Sequence, residues 1–219
     1  MRLKNHIRLF FVSVIAVISA TTVMAQVSPA KIFIDAPQSR FPFLSKMKRM
    51  DMVDYFNGGV SRASDNLLGG KSRVLKLTPD QIMVELVEGG VSTTSLTPVA
   101  YDKNDSLIIV VSNVATPAPD GMISFYRPDW KAVDTKRFFV EPTFDDWLQK
   151  DVDRSLRNEL RDLVPFVMAE YSFDPDTKIL TLKQTADQYL PKADYDKAKN
   201  HLVGELKYRW NGKKMVKVK

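Results

Sequence analysis

The chain has 219 residues, 44% of them hydrophobic and 26% charged, with 32 basic against 26 acidic side chains and no cysteine. Such mixed usage excludes a disordered, a collagen-like or a multi-span membrane protein. Without sulfur from cysteine there are no disulfides, no thiol nucleophiles and no thiolate metal sites.

Arg2, Lys4 and Arg8 precede an uncharged run from Leu9 to Ala25 that ends in Val23-Met24-Ala25. A positive start, an apolar middle and small or compact residues at the end are the pattern of a secretory signal peptide over 1–25. Its strongly apolar part, Leu9 to Ala20, is about twelve residues, whereas a stable membrane span takes about twenty. Cleavage is expected between Ala25 and Gln26, which leaves roughly 194 residues and takes the formal charge from +6 to about +3. With Gln26 as the first mature residue there is no thioether for a lipid, so no membrane anchor is expected after cleavage. A chain of this length buries about 70% of its unfolded surface and needs no covalent staple.

The mature part, 26–219, reads as one α+β unit, with 26–130 and 131–219 as its subdivision. Lys31-Ile-Phe-Ile-Asp35 is a short strand-like piece. Phe43 to Phe56 lacks proline and glycine and predicts a helix closed by Asn57-Gly58-Gly59, with Met47, Met50 and Val53 on one side and Met52 and Phe56 behind.

From Lys71 to Tyr126 the period changes to β-rich stretches: 71–77, 81–87, 91–101, 106–114 and 122–126. The turns between them are short, and short connections join only antiparallel neighbours, so the region is a meander. Leu107-Ile-Ile-Val-Val111 is apolar on both faces and belongs at the centre of a sheet, while Ile82, Val84 and Leu86 alternate as in a strand with one buried face.

A second helix begins at Thr143, with Asp145 and Asp146 in its first turn, and Leu148, Val152, Leu156 and Leu160 recur until Pro165. Strands 166–173 and 178–184 flank the turn Asp174-Pro-Asp-Thr177. Pro191 opens a shorter helix that Gly204 closes, and a hairpin around Asn211-Gly212 ends the chain. The fold class is α+β: antiparallel meander sheets packed against helices. Tyr126-Arg127…Trp130-Lys131 and Tyr208-Arg209-Trp210…Lys213 suggest two similar halves with unequal spacing.

Few residues carry chemistry. Ser45-Lys-Met-Lys48 and Ser64-Asp-Asn66 match two signatures of penicillin-recognising enzymes, but the third, Lys-Thr-Gly, is missing, and a solvated helix start and a loop account for both. His201 is the single histidine of the mature chain, so a two-histidine metal site is impossible and a surface position is expected. Asp145, Asp146, Asp151 and Asp153 have a sufficient electrostatic reason to sit near a helix start, and no calcium-loop pattern surrounds them. The glycine pairs lack the phosphate-loop pattern. Nine basic and three acidic residues follow from Lys192, yet Lys213-Lys-Met-Val-Lys-Val-Lys219 alternates as a solvated edge strand does, which argues against nucleic acid. No catalytic, cofactor or metal residues are assigned, and no cofactor is expected.

Asp35-Ala-Pro37, Arg49-Met-Asp-Met-Val-Asp-Tyr55, the Leu-Ile-Ile-Val-Val strand with Pro117-Ala-Pro, and Phe173-Asp-Pro175…Asp187-Gln-Tyr-Leu-Pro191…Tyr208-Arg-Trp-Asn-Gly-Lys213 stand in that order. Together they resemble a family of exported Bacteroidales proteins of unknown function, the domain of unknown function 3256 family. The resemblance spans nearly the whole mature chain and implies an envelope or secreted location, without implying catalytic residues. In that context Asp105-Ser106-Leu107 resembles an acceptor for serine O-glycosylation. The terminal hairpin is also similar to periplasmic helix-and-sheet modules of the β-lactamase-inhibitor type, as a fold analogy.

The expected function is a non-enzymatic, periplasmic or secreted binding module for a protein or envelope component. A carboxylate-dependent hydrolase and a structural subunit of an envelope complex are the alternatives, and the oligomeric state is open. N-terminal sequencing of exported protein should begin at Gln26, and a start at Met1 refutes the cleavage.

Overall fold

The computed structural model describes residues 27–218 apart from 61, 88, 90, 91, 103, 104 and 116, so the Ala25–Gln26 junction lies outside the described residues. Seven antiparallel strands pair strictly in chain order: β1 (Ser64–Asp65), β2 (Lys71–Leu77), β3 (Ile82–Val87), β4 (Ser92–Tyr101), β5 (Asp105–Val114), β6 (Asp120–Tyr126) and β7 (Ala132–Val133). This is the meander that the short turns dictate. The longest ladder runs from Ser92 opposite Val114 to Tyr101 opposite Asp105. A second sheet has the order β11-β10-β9-β8, built from β8 (Ala169–Asp174), β9 (Ile179–Gln184), β10 (Glu205–Trp210) and β11 (Met215–Lys217). Both sheets are antiparallel and the fold is α+β. Among the described residues no helix is long and apolar enough to cross a membrane.

Strand β5 explains the layering. Leu107, Ile109 and Val111 pack with Tyr171, Phe173, Leu180 and Leu182 of the second sheet, whereas Ile108 packs on the opposite side with Ile32, Phe33 and Met52. A strand covered on both faces must be apolar where it is covered, as Leu107 to Val111 is. The helical cover is α1 (Pro29–Ile34) and α2 (Lys46–Asn57), while α3 (Arg154–Leu163), α4 (Ala186–Tyr189) and α5 (Lys192–Ala198) form a third cluster around Leu160, Val164 and Ala198.

The sheets meet along β8, whose outer edge is sealed by side chains instead of a strand. Asn113 accepts from the Tyr171 N–H at 2.8 Å and donates to the Tyr171 carbonyl at 2.9 Å. Asp120 accepts from the Ala169 N–H at 3.2 Å, and the buried Gln81 donates to the Phe173 carbonyl at 2.8 Å. Buried backbone groups must find partners, and here three polar side chains supply them. Gly121, opposite Asn113 in the ladder, makes the close approach possible: a Cβ there would lie 2.5 Å from Asn113 Oδ1 and 2.7 Å from the Tyr171 ring.

Several elements differ from the sequence reading. Lys31 to Ile34 is helical with Asp35 as its C-cap, because Pro29 at the first turn presets helical φ and Ile32 and Phe33 then point together into the core. Helix α2 starts at Lys46, capped by Ser45 Oγ, and buries Arg49, Met52 and Val53 while Met47 and Met50 face outward. Arg49 is drawn inside because its guanidinium donates to the carbonyls of Leu44 (2.6 Å), Ala36 (2.6 Å) and Ile34 (3.1 Å). Burial without a carboxylate contact lowers its pKa from the usual guanidinium value.

The expected helix after Thr143 breaks in two. A 3-10 turn, Phe144–Trp147, carries the capping box of Thr143 and Asp146, and α3 starts afresh when Asp153 accepts from the Leu156 N–H at 2.9 Å. Between them the backbone is diverted into pairing with a distant segment: the Val203 N–H donates to Trp147 and the Gln149 N–H to His201. Helix α5 ends at Ala198, before Gly204, which instead accepts from the Gln184 N–H as β10 begins. The last hairpin has a loop over 211–214, held by Asn211 Oδ1 accepting from the Lys213 and Lys214 N–H groups. Finally, Tyr208–Trp210 lies within β10, whereas Trp130 follows β6 at φ 65°.

Gly121→Ala should lower stability by about 1–3 kcal/mol, since the added methyl must displace Asn113 or Tyr171. Urea unfolding checks this, and an unchanged midpoint would show that the sheets do not meet as described.

Candidate functional site

A cleft of about 500 Å³ opens where the ends of three hairpins converge. Its polar rim is Asp80, Asp102, Asp105, Ser106 and Lys178, and its apolar wall includes Ile32, Leu107 and Trp210. Trp210 binds the hairpins to one another. Its indole N–H donates to the Ala100 carbonyl at 3.1 Å and its backbone N–H to Lys178 at 2.9 Å. The Asp102 N–H completes the staple by donating to the Gly212 carbonyl at 3.2 Å.

Closing three turns against each other forces unusual backbone. Asp102 (φ 55°) and Lys178 (φ 58°) are non-glycine residues in the left-handed region, and Gly212 (φ 86°) joins them with no steric cost. Two of the three non-glycine positive φ values among the described residues therefore line this one cleft. Sparsely populated backbone of this kind costs of order 1–3 kcal/mol and collects at functional sites.

Asp105 is paired with Arg127, and its Oδ1 also accepts from the Ser106 N–H at 2.8 Å. Ser106, half-buried on β5 opposite Ala100, shares the cleft with no described histidine: His201, partly buried, does not line it and uses its backbone to bond Ala198 and Gln149. Ser45 caps α2, its Oγ accepting from the Lys48 N–H at 3.3 Å, and Asn66 is consumed in a turn, so the two penicillin-like triplets are structural. Asp145 pairs with Arg157 and Arg161, Asp153 caps α3, and Asp151 is exposed. Among the described residues no group of three or more metal-ligating side chains converges.

Among the described residues, the carboxyls that the fold shifts are shifted down. Asp35 is held at about 2 by hydrogen bonds from Lys31 and Lys46, and Asp196 at about 2 by Lys192 and Lys199. Asp129, Asp146 and Asp174 fall for the same reason, each stabilised in its ionised form by a donor. A general acid needs the opposite shift. In a second concavity of about 280 Å³, burial first and then Glu141 and Asp120 push the Tyr171 phenol up, so that it stays protonated.

Ser106 and the three turns that border the cleft were each readable from sequence, but the spacing of Asp80, Lys178 and Trp210 along the chain carries no signal of their meeting.

A family model described as "Protein of unknown function (DUF3256)" matches residues 20–215. The chain belongs to this family. The DUF3256 fold is also seen in a solved structure, that of a domain of an uncharacterized protein from Porphyromonas gingivalis W83, with a TM-score of 0.76 and 22% sequence identity. That likeness covers 86% of this chain and 96% of the other, and at this identity it shows the fold alone. No functionally curated protein matches the chain.

Asp146 offers a direct check on these electrostatics, because Lys217 holds it at 2.7 Å and Thr143 supplies two further donors. A depressed carboxyl adds stability above its unfolded pKa and loses it as pH falls through the folded value. Lys217→Ala should therefore raise the Asp146 midpoint in a carboxyl NMR titration; an unmoved midpoint would remove Lys217 as the cause.

Proposed function

We propose that this member of the family is an exported, non-enzymatic binding module of the bacterial envelope, periplasmic or secreted, and that the cleft at the hairpin ends receives a segment of a protein or envelope component. Support for export is the charged, apolar and small-residue order of residues 1–25. One observation carries the binding role: the left-handed Asp102 and Lys178 backbones meet at the same preformed cleft, stapled through Trp210. Backbone strain held in place by tertiary contacts, around an apolar floor with a mainly acidic rim, is the anatomy of a recognition site. A ligand with an apolar body and a polar end is the complementary shape.

Ser106→Trp fills the cleft from β5. Tagged wild-type protein recovered from its own cells should bring a partner that Ser106→Trp loses, while the circular dichroism spectra match. Retention of the same partner by the variant would remove the cleft from the binding reaction.

A further inference from the structure

Helix α2 turns an apolar face to solvent. Met47 is 73% exposed and Met50 45%, and Phe43, 44% exposed, lies in the turn just before the helix. The turn after β1 extends this surface, since the Leu67 N–H donates to the Phe43 carbonyl at 3.0 Å. Asn66 makes that turn rigid. Its Oδ1 accepts from the Leu68 and Gly70 N–H groups, and its Nδ2 donates to Ser72 Oγ and to the Leu86 carbonyl. A buried amide with four hydrogen bonds thus holds Leu67 and Leu68, 76% and 56% exposed, away from the core. The five side chains expose on the order of 500 Å² of apolar surface, the scale at which a patch marks an interaction site.

The charges on α2 indicate what covers it. Lys46 and Lys48 occupy its first turn and Asp51 and Asp54 its second half, with no acid in the first turn and no base in the last. This order opposes the helix's own macrodipole, which favours acids at the start and bases at the end. Lys46 is compensated by Asp35 at 2.6 Å, but Lys48, Asp51 and Asp54 form no ion pair with another described residue. An antiparallel copy of the same helix supplies the missing complement, because its acidic half lies against this basic half and the reverse.

We propose that a second copy of this chain docks on this face about a two-fold axis, α2 against α2, with Met47 and Met50 interleaved and Lys48 of each copy facing Asp51 of the other. The contact is isologous and closes at two copies. Methionines suit such a seam, being flexible enough to fill its gaps. Adding the charged flanks to the apolar patch brings the surface toward the roughly 800 Å² per partner of a standard interface. This inference uses no residue of the cleft, so either can fail without the other.

Sedimentation equilibrium of the purified chain over a concentration series tests it. Wild type should dimerise, and Met47→Lys should be monomeric with an unchanged circular dichroism spectrum. Lys48→Asp should raise the dimer Kd about tenfold by placing like charges together, and Lys48→Asp combined with Asp51→Lys should restore it. A wild-type chain that stays monomeric, or a dimer indifferent to both Met47→Lys and Lys48→Asp, would overturn the proposal.

Discussion

The outer edge of β8 is the constraint on which the two-sheet arrangement depends. An edge strand placed in a core must have its peptide groups paired, and a strand partner would have merged the two sheets into one. Asn113, Asp120 and Gln81 instead supply donors and acceptors at the pitch of a strand, so β8 is satisfied while its sheet remains separate. The side chains of Ala169, Tyr171 and Phe173 then face Leu107, Ile109 and Val111 in one apolar cluster. Gly121 permits the approach because any larger residue would occupy the space of Tyr171.

That junction also positions the cleft. Once β8 is anchored on the first sheet, the β8–β9 and β10–β11 turns arrive beside the β4–β5 end, and Trp210 stitches the three together. The left-handed conformations of Asp102 and Lys178 are held by this convergence. Elsewhere, positive charge does the holding. Arg49 gathers three carbonyls from the segment between α1 and α2, and lysines clamp Asp35, Asp146 and Asp196 in their ionised forms. These ionisable groups hold the architecture together.

Legibility from sequence followed the range of the interactions. Strands β2 to β6 were readable to within two residues, because their periodicity and their turns are local and Gly-, Pro- and Asp-rich connections leave one pairing order. Helix faces were less readable. Hydropathy places Met47 inside and Arg49 outside, yet Arg49 is 1% exposed and Met47 73%, since carbonyls as far back as Ile34 complete the guanidinium's hydrogen bonds. The helix expected from Thr143 onward failed for a similar reason, its middle being recruited by His201 and Val203. Of the cleft, Ser106 and the separate turns stood out beforehand, but not their convergence.

The amino-acid sequence by itself determined the antiparallel meander, the doubly buried β5, the α+β class and the shortage of reactive side chains, all of which follow from local pattern and composition. Only the tertiary structure decided which face of α2 is left uncovered, where the 143–163 segment breaks and where the cleft forms. Those outcomes rest on hydrogen bonds between residues as distant as Gln81 and Phe173, or Trp210 and Ala100. No window along the chain contains both partners of such a bond, and the energy that selects them exists only once the sheets have packed.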